Sequence, residues 1–219
     1  MTSSILMACG SSEPASSFPS DYVRLYELKT DSSDSSTSSA NGTDTAITYD
    51  GSSANFTNTT STLVSKITIP MVSLNDFSIC FWFKNTDAGN ASVLGKNGVG
   101  TPYYGVNVVT GPSSNQIGMY INLGDYRSAT TITPDTDWHH YVFKRSGTAL
   151  SIYVDGVEHG SSISVTTYTM AVSLIGGYTT DASSSCINGS LSQIAIYNRA
   201  VTSTEIADIY NNKKGDFQP

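Results

Sequence analysis

Through most of the chain apolar and polar residues alternate one by one, a period of two that predicts strands and not helices. Ile117, Met119, Ile121 and Leu123 alternate with Gln116, Gly118, Tyr120 and Asn122, as in a strand with one face on a core. Leu150, Ile152 and Val154 alternate with Ser151, Tyr153 and Asp155, and Asp155-Gly156 separates that run from residues 157–162. An Asp-Gly pair between two such runs predicts a type I′ hairpin, because both central residues of that turn take positive φ. Residues 77–84 are apolar on both faces, which predicts a central strand. Further strands are predicted over 46–50, 63–69, 92–96, 103–109, 138–145, 171–175 and 191–197. About a dozen short strands at regular spacing imply an all-β sandwich or barrel.

One segment breaks the pattern. Thr202-Ser203-Thr204-Glu205 is a capping box, and Ile206, Ile209 and Tyr210 then share one helical face. Lys213, Lys214 and Gly215 predict the end of this helix. At the other terminus residues 1–20 hold almost nothing to bury and are read as an extended arm, leaving 21–219 as the single domain. After a short apolar patch at 22–28, the serine-rich stretch 30–45 is a loop by composition, and the folded core is expected to begin near Asp44.

Composition narrows the function. Charged residues are 13% of the 219 and apolar ones 38%, both below the usual globular share. Ser and Thr, about 61 residues, fill the difference. A net charge of −7, from 11 basic and 18 acidic residues, argues against nucleic acid, whose binding draws on Lys and Arg. No apolar run approaches the roughly 18 residues of a membrane-spanning helix. Residues 1–10 carry no basic residue and only a short apolar run, so no secretory leader is expected. Cys9, Cys80 and Cys186 are an odd number at spacings that suggest neither a disulfide framework nor zinc, with a Cys80–Cys186 pairing left open.

Several runs then occur in a familiar order: Trp138-His139-His140-Tyr141-Val142, Leu150 to Val157 around the Asp-Gly turn, Leu174-Ile175-Gly176-Gly177, and Gly189-Ser190-Leu191-Ser192-Gln193-Ile194-Ala195-Ile196-Tyr197 with Glu205-Ile206 after it. With Asp50-Gly51-Ser52 and 77–84 upstream, these resemble a laminin-G-like domain of the concanavalin A-like lectin/glucanase superfamily over about residues 44–212. The resemblance implies a jelly-roll sandwich of two antiparallel sheets with one short C-terminal helix. Trp138 reads as a core plug. His139 and His140, adjacent on a strand, face opposite ways and cannot chelate one metal together; His159 stands alone.

That superfamily contains glycan binders, adhesion and assembly modules, hydrolases and lyases, so individual residues must choose among them. Glycoside hydrolysis needs two carboxylates roughly 5–9 Å apart, and the predicted strands carry scarcely any. No catalytic residue is assigned and no enzyme is expected. Calcium needs six to eight oxygens; where relatives place an Asp-Glu pair this chain reads Ser192-Gln193, which leaves Asp50 as the remaining candidate ligand. Glycan recognition is assigned to Tyr103, Tyr104, Tyr126, Arg127, Tyr178 and Asn188, with Asn97, Asn107 and Asn122 as further amides. The expected function is a non-catalytic adhesion or assembly module. Its expected setting is a bacteriophage virion, as a capsid decoration or tail appendage bound to capsid or tail proteins or to surface glycans, with homo-oligomers to raise avidity. A secreted or cell-surface lectin and a polysaccharide-degrading enzyme are the alternatives.

Overall fold

The structure, a computed structural model, describes residues 18–59, 62–86, 91–98, 103–108, 115–122, 124–133, 135–179 and 186–218. Its strands in chain order are β1 (Arg24–Tyr26), β2 (Thr43–Thr45), β3 (Thr48–Tyr49), β4 (Ala54–Thr57), β5 (Lys66–Leu74), β6 (Phe77–Asn85), β7 (Ala91–Gly95) and β8 (Tyr103–Val108). They continue as β9 (Gln116–Asn122), β10 (Gly124–Thr131), β11 (Trp138–Ser146), β12 (Ala149–Val154), β13 (Val157–Glu158), β14 (Ile163–Ser164), β15 (Met170–Ile175) and β16 (Asn188–Tyr197), before one helix, α1 (Ser203–Phe217). A nine-stranded sheet has the order β13-β12-β11-β6-β16-β4-β3, with β1 also on β16 and β14 on β12. A seven-stranded sheet has the order β10-β9-β8-β7-β15-β5-β2. All pairings are antiparallel, as in a jelly-roll sandwich.

Alternation sends one residue set of each strand into the space between the sheets. Phe77, Ile79, Phe81 and Phe83 of β6 meet Ile117, Met119 and Ile121 of β9 and Val106 of β8 in one buried core. Strand β6 is apolar on its second face as well because that face also has a partner. Cys80 there packs with Val142, Ala195 and Tyr197 under Ile206 and Ile209 of α1. Cys80 and Cys186 do not pair: the first lies under the helix, and the second bridges Gly177.

The turn and cap signals hold. Asp155 and Gly156 have φ of 51° and 80°, and Thr202 and Glu205 close a complete capping box. The helix nevertheless runs past Gly215 to Phe217, because the Phe217 ring is held against Trp82 at 4.6 Å and Trp138 at 5.0 Å between centroids. A tertiary contact thus overrides a local stop signal. Trp138 itself does not plug the sandwich. It pairs with Lys84 and so faces outward beside α1, half-buried, while Trp82 is the fully buried indole.

The folded core also starts well before Asp44. Tyr26 and Leu28 are fully buried, and Phe18 packs with Leu25 and Tyr197 in the cluster under α1. The serine-rich loop is organised around the buried Asp34 carboxylate, which accepts from the backbone N–H of Leu25, Ser36 and Ala40 and from the hydroxyls of Ser36 and Ser38 at 2.7–3.0 Å. The serines that composition read as loop are the carboxylate's donors.

The adjacent histidines do face opposite ways, and they titrate in opposite senses. His139 Nδ1 lies 2.6 Å from Asp155 Oδ2 and Nε2 lies 3.0 Å from Asp135 Oδ1. The hydrogen bond to Asp155 and the two negative charges raise His139 to about 9 against the cost of its burial. His140 is fully buried between Trp82 and Tyr210 with neither ring nitrogen hydrogen-bonded, and burial lowers it to about 4. A raised histidine stabilises the fold at all pH below 6.5, and this stabilisation is lost as pH rises through 9. A lowered one does the reverse: between 6.5 and 4 the unfolded chain takes a proton that the folded chain refuses. Melting temperature should therefore peak near pH 6.5 and fall on both sides. Each limb is of order 3 kcal/mol for shifts of about 2.5 pH units. His140→Phe should flatten the limb between pH 6.5 and 4, and equal melting temperatures for the parent at pH 5 and 7 would rule this assignment out.

Candidate functional site

The two sheets differ in what covers their outer faces. Helix α1 and the segment around Phe18 cover the nine-stranded sheet. The seven-stranded sheet instead presents polar and aromatic groups at the outward positions of β7 to β10, alternating with the core residues named above.

Strand register arranges these positions in two transverse rows. Gly95 pairs with Gly105, Gly105 with Tyr120, and Tyr120 with Asp125. Two residues along, Ser92 pairs with Asn107, Asn107 with Gly118, and Gly118 with Arg127. The glycines lower the floor, and larger side chains from neighbouring positions fold over them. The Tyr178 ring lies on Gly105, where an added Cβ would come within 2.6 Å of its Cδ2. Arg127 crosses Gly118, whose Cβ would lie 3.1 Å from Arg127 Cγ. Glycine in a strand interior here marks close approach of another group. Tyr178 also meets Tyr120, with centroids 5.3 Å apart and planes at 58°, and its carbonyl accepts from the Lys96 N–H at 3.2 Å.

The polar groups are mutually anchored. Arg127 Nε donates to both Asp125 oxygens at 3.0 and 2.9 Å, and Nη2 lies 2.7 Å from Oδ2. The Tyr120 hydroxyl donates to the same Oδ2 at 3.0 Å. Its hydrogen bonds to the Asp125 carboxylate hold Arg127 above its ordinary value, so it is charged at any relevant pH. Ser92 and Asn107, both buried, hydrogen-bond each other through the hydroxyl and the amide oxygen. The result is a shallow depression whose aromatic wall, Tyr178 and Tyr120, is laid over buried Gly105, Ser92 and Asn107, with a neutralised ion pair on its rim.

Of the residues assigned from sequence, Arg127 and Tyr178 meet here. Tyr103 begins β8, pairing with Asn122, and its side chain lies outside the described residues. Tyr104 turns the other way into the core. Tyr126 likewise packs against the core, its hydroxyl 3.0 Å from Thr166 Oγ1. Asn188 begins β16 in the other sheet, pairing with Thr57, and is not part of the outward face of β7 to β10. Tyr120 and Asp125 were not assigned. The signal that could have found them was glycine at outward positions 105 and 118 of two alternating strands.

Asp50 closes a turn. Its oxygens accept from the N–H and hydroxyl of both Ser52 and Ser53 at 2.7–3.0 Å, and these bonds hold its pKa well below the carboxylate range despite burial. At the place where relatives carry an Asp, the Ser192 hydroxyl is buried between two carbonyl oxygens, of Ser52 at 2.8 Å and Glu27 at 3.3 Å. A hydroxyl proton thus stands where a cation would need a carboxylate, so these residues do not fit calcium. Among the described residues no three His, Cys, Asp or Glu are grouped to hold a metal ion. His159 Nε2 lies 3.1 Å from the Thr130 carbonyl. Among the described residues no helix is long and apolar enough to cross a membrane.

A second concavity, a cleft of about 400 Å³, lies at the end of β11 and α1, lined by Lys84, Asp137, Trp138, His139, Phe217 and Gln218.

Residues 57–207 match the laminin-G family described as the concanavalin A-like lectin/glucanases superfamily. No curated protein matches the chain. Among solved structures, domain 4 of AbnA, a GH43 extracellular arabinanase from Geobacillus stearothermophilus solved in complex with arabinotriose, is similar with a TM-score of 0.68 and 22% identity, over 87% of this chain and 98% of that one. Botulinum neurotoxin type C, whose cell entry depends on interaction with two ganglioside molecules, matches with a TM-score of 0.65 and 10% identity, over 88% of this chain and 51% of that one. Trypanosoma rangeli sialidase matches at 0.67 and 15% identity, over 92% of this chain but 34% of the sialidase. At these identities the likeness is one of fold.

Proposed function

Because the chain belongs to the concanavalin A-like lectin/glucanases superfamily, we propose that it is a non-catalytic carbohydrate-binding module for adhesion, seating a sugar ring in the depression on its seven-stranded sheet. The carrying observation is the pair of partly exposed rings, Tyr178 and Tyr120, held in contact on the outward face by the glycine at position 105 beneath Tyr178. Sugar rings present apolar C–H faces and equatorial hydroxyls, and aromatic faces with amides and hydroxyls match both. Similar structures bound to arabinotriose or dependent on gangliosides support a glycan as ligand. For the non-catalytic part, Asp125 is the carboxylate of this depression among the described residues, and it is held by Arg127 and Tyr120, whereas glycoside hydrolysis calls for a second acid roughly 5–9 Å away.

Display in many copies on a particle, the virion role expected from the sequence, would raise the affinity of such a shallow site through avidity. Among the described residues none identifies a capsid or tail partner, and the arm offered as a tether lies outside them up to residue 17.

On an immobilised panel of oligosaccharides, Tyr178→Ala should weaken binding about 30-fold, as expected for an aromatic anchor of about 2 kcal/mol, with the melting temperature within a few degrees of the parent. Unchanged binding by Tyr178→Ala, or no glycan bound by the parent, would overturn the proposal. Release of reducing ends from any bound polysaccharide would overturn its non-catalytic part.

A further inference from the structure

We infer that the depression selects neutral sugars and rejects acidic ones such as uronates and sialates; this rests on the proposed glycan-binding role of the same site. The inference comes from how the cations are spent. All eleven Lys and Arg of the chain lie within the described residues, so their placement can be followed completely. Arg127 alone belongs to the depression. Its Nε and Nη2 are aimed at Asp125, and a third oxygen, the Tyr120 hydroxyl, lies 3.5 Å from Nη2.

A guanidinium recognises a sugar carboxylate through the same planar pair of N–H groups that here face Asp125. For Arg127 to bind an acidic sugar it would have either to leave Asp125, stranding that carboxylate, or to share its single charge with it, setting a second anion beside the first. Two like charges at such separations repel, and the face supplies no replacement cation. Lys96 follows Gly95 but points to the opposite side of the sheet, its ammonium 6.0 Å from the centre of the inward Tyr104 ring. Lys66 is on the outer face, since Ile67 and Ile69 beside it are inward, but β5 stands three strands from β8 in the sheet order. At about 4.8 Å per strand it is some 14 Å from the Gly105 floor. The chain's net charge of −7 adds a weak repulsion of the same sign. What remains for the ligand is uncharged: the partly exposed rings of Tyr178 and Tyr120, since the glycines lie beneath Tyr178 and Arg127 and the Ser92–Asn107 pair is buried.

The decisive variant is Asp125→Asn. It keeps a side chain that can accept from Tyr120 and Arg127 but removes the charge that neutralises the guanidinium. A panel of neutral oligosaccharides and their uronate- or sialate-bearing counterparts should be measured at 20 and 300 mM salt. The parent should bind a neutral chain at least ten times more tightly than its acidic counterpart, with less than a twofold change between the two salt concentrations. Asp125→Asn should gain at least tenfold affinity for the acidic chain at 20 mM salt, and that gain should shrink at 300 mM salt, as Debye screening of a partly exposed charge predicts. Salt-sensitive preference of the parent for acidic chains overturns the inference while leaving the glycan-binding role intact. No gain by Asp125→Asn overturns the assignment of selectivity to the ion pair. Failure of the parent to bind any member of the panel overturns the role as well.

Discussion

Asp34→Ala is expected to destabilise the protein by about 3–5 kcal/mol, among the largest effects of any single polar replacement in the chain. The substitution leaves the N–H groups of Leu25, Ser36 and Ala40 without the acceptor they now share. Each such group, buried and unpaired, costs about 1–3 kcal/mol. The effect should propagate, because the Leu25 N–H belongs to β1, and β1 pairs with the central strand β16. Burial by itself would raise the Asp34 pKa, but the backbone and hydroxyl donors around it win and hold it down to about 2. A carboxylate lowered in this way contributes stability above its unfolded value near 3.9 and loses it as pH falls through 2. The Asp34→Ala deficit should therefore be full at pH 7 and shrink toward pH 2. Urea unfolding at pH 7 and pH 3 measures both. A deficit below 1 kcal/mol at pH 7 would mean that the loop is held by its other contacts.

Trp82→Ala should cost about 3–5 kcal/mol by leaving a cavity beneath α1. The indole is fully buried and stacks on Phe217 at 4.6 Å and on Tyr210 at 5.8 Å, with His140 at 5.1 Å on its strand-side flank. Losing it removes the surface on which the last turns of the helix rest. The indole N–H has no hydrogen-bond partner, so part of its burial is already unfavourable. Trp82→Phe keeps a ring while discarding that unpaired donor, and it should cost less than about 1.5 kcal/mol. Calorimetry would show the Ala variant melting roughly 10 °C lower, at about 2–4 °C per kcal/mol for a domain of this size. If the Phe variant is as damaged as the Ala variant, the stack and not the cavity was misjudged. Because α1 covers the nine-stranded sheet and not the seven-stranded one, sugar binding by either variant should survive at temperatures where it stays folded.

Much of the architecture was legible because the signals are local. Strand β9 alternates strictly, the Asp155-Gly156 turn needs positive φ at both residues, and Thr202 to Glu205 satisfy each other's backbone groups within one turn. Strand β10 was missed for the same physical reason in reverse: Gly124–Thr131 is an edge strand with little apolar alternation. Its place is set by pairing with β9, which a period count does not see. That omission hid Asp125 and left Arg127 without its partner. The N-terminal boundary was placed too late because serines were counted as loop formers, whereas here they and three backbone N–H groups surround one carboxylate.

The site divides along the same line. Alternation, turn chemistry and composition determined from sequence alone an all-β sandwich or barrel with a capped helix and few carboxylates on its strands, and the resemblance of its motifs narrowed this to a two-sheet laminin-G-like fold. Those are properties of neighbours in the chain. Which tyrosines face outward, and what they meet, depends on register between strands far apart in sequence. Gly105 lies under Tyr178, and Arg127 lies across Gly118. The pleat of β8 sends Tyr104 into the core. Tertiary structure alone decided that the arginine of the depression is already paired, and on that pairing the proposed preference for neutral sugars rests.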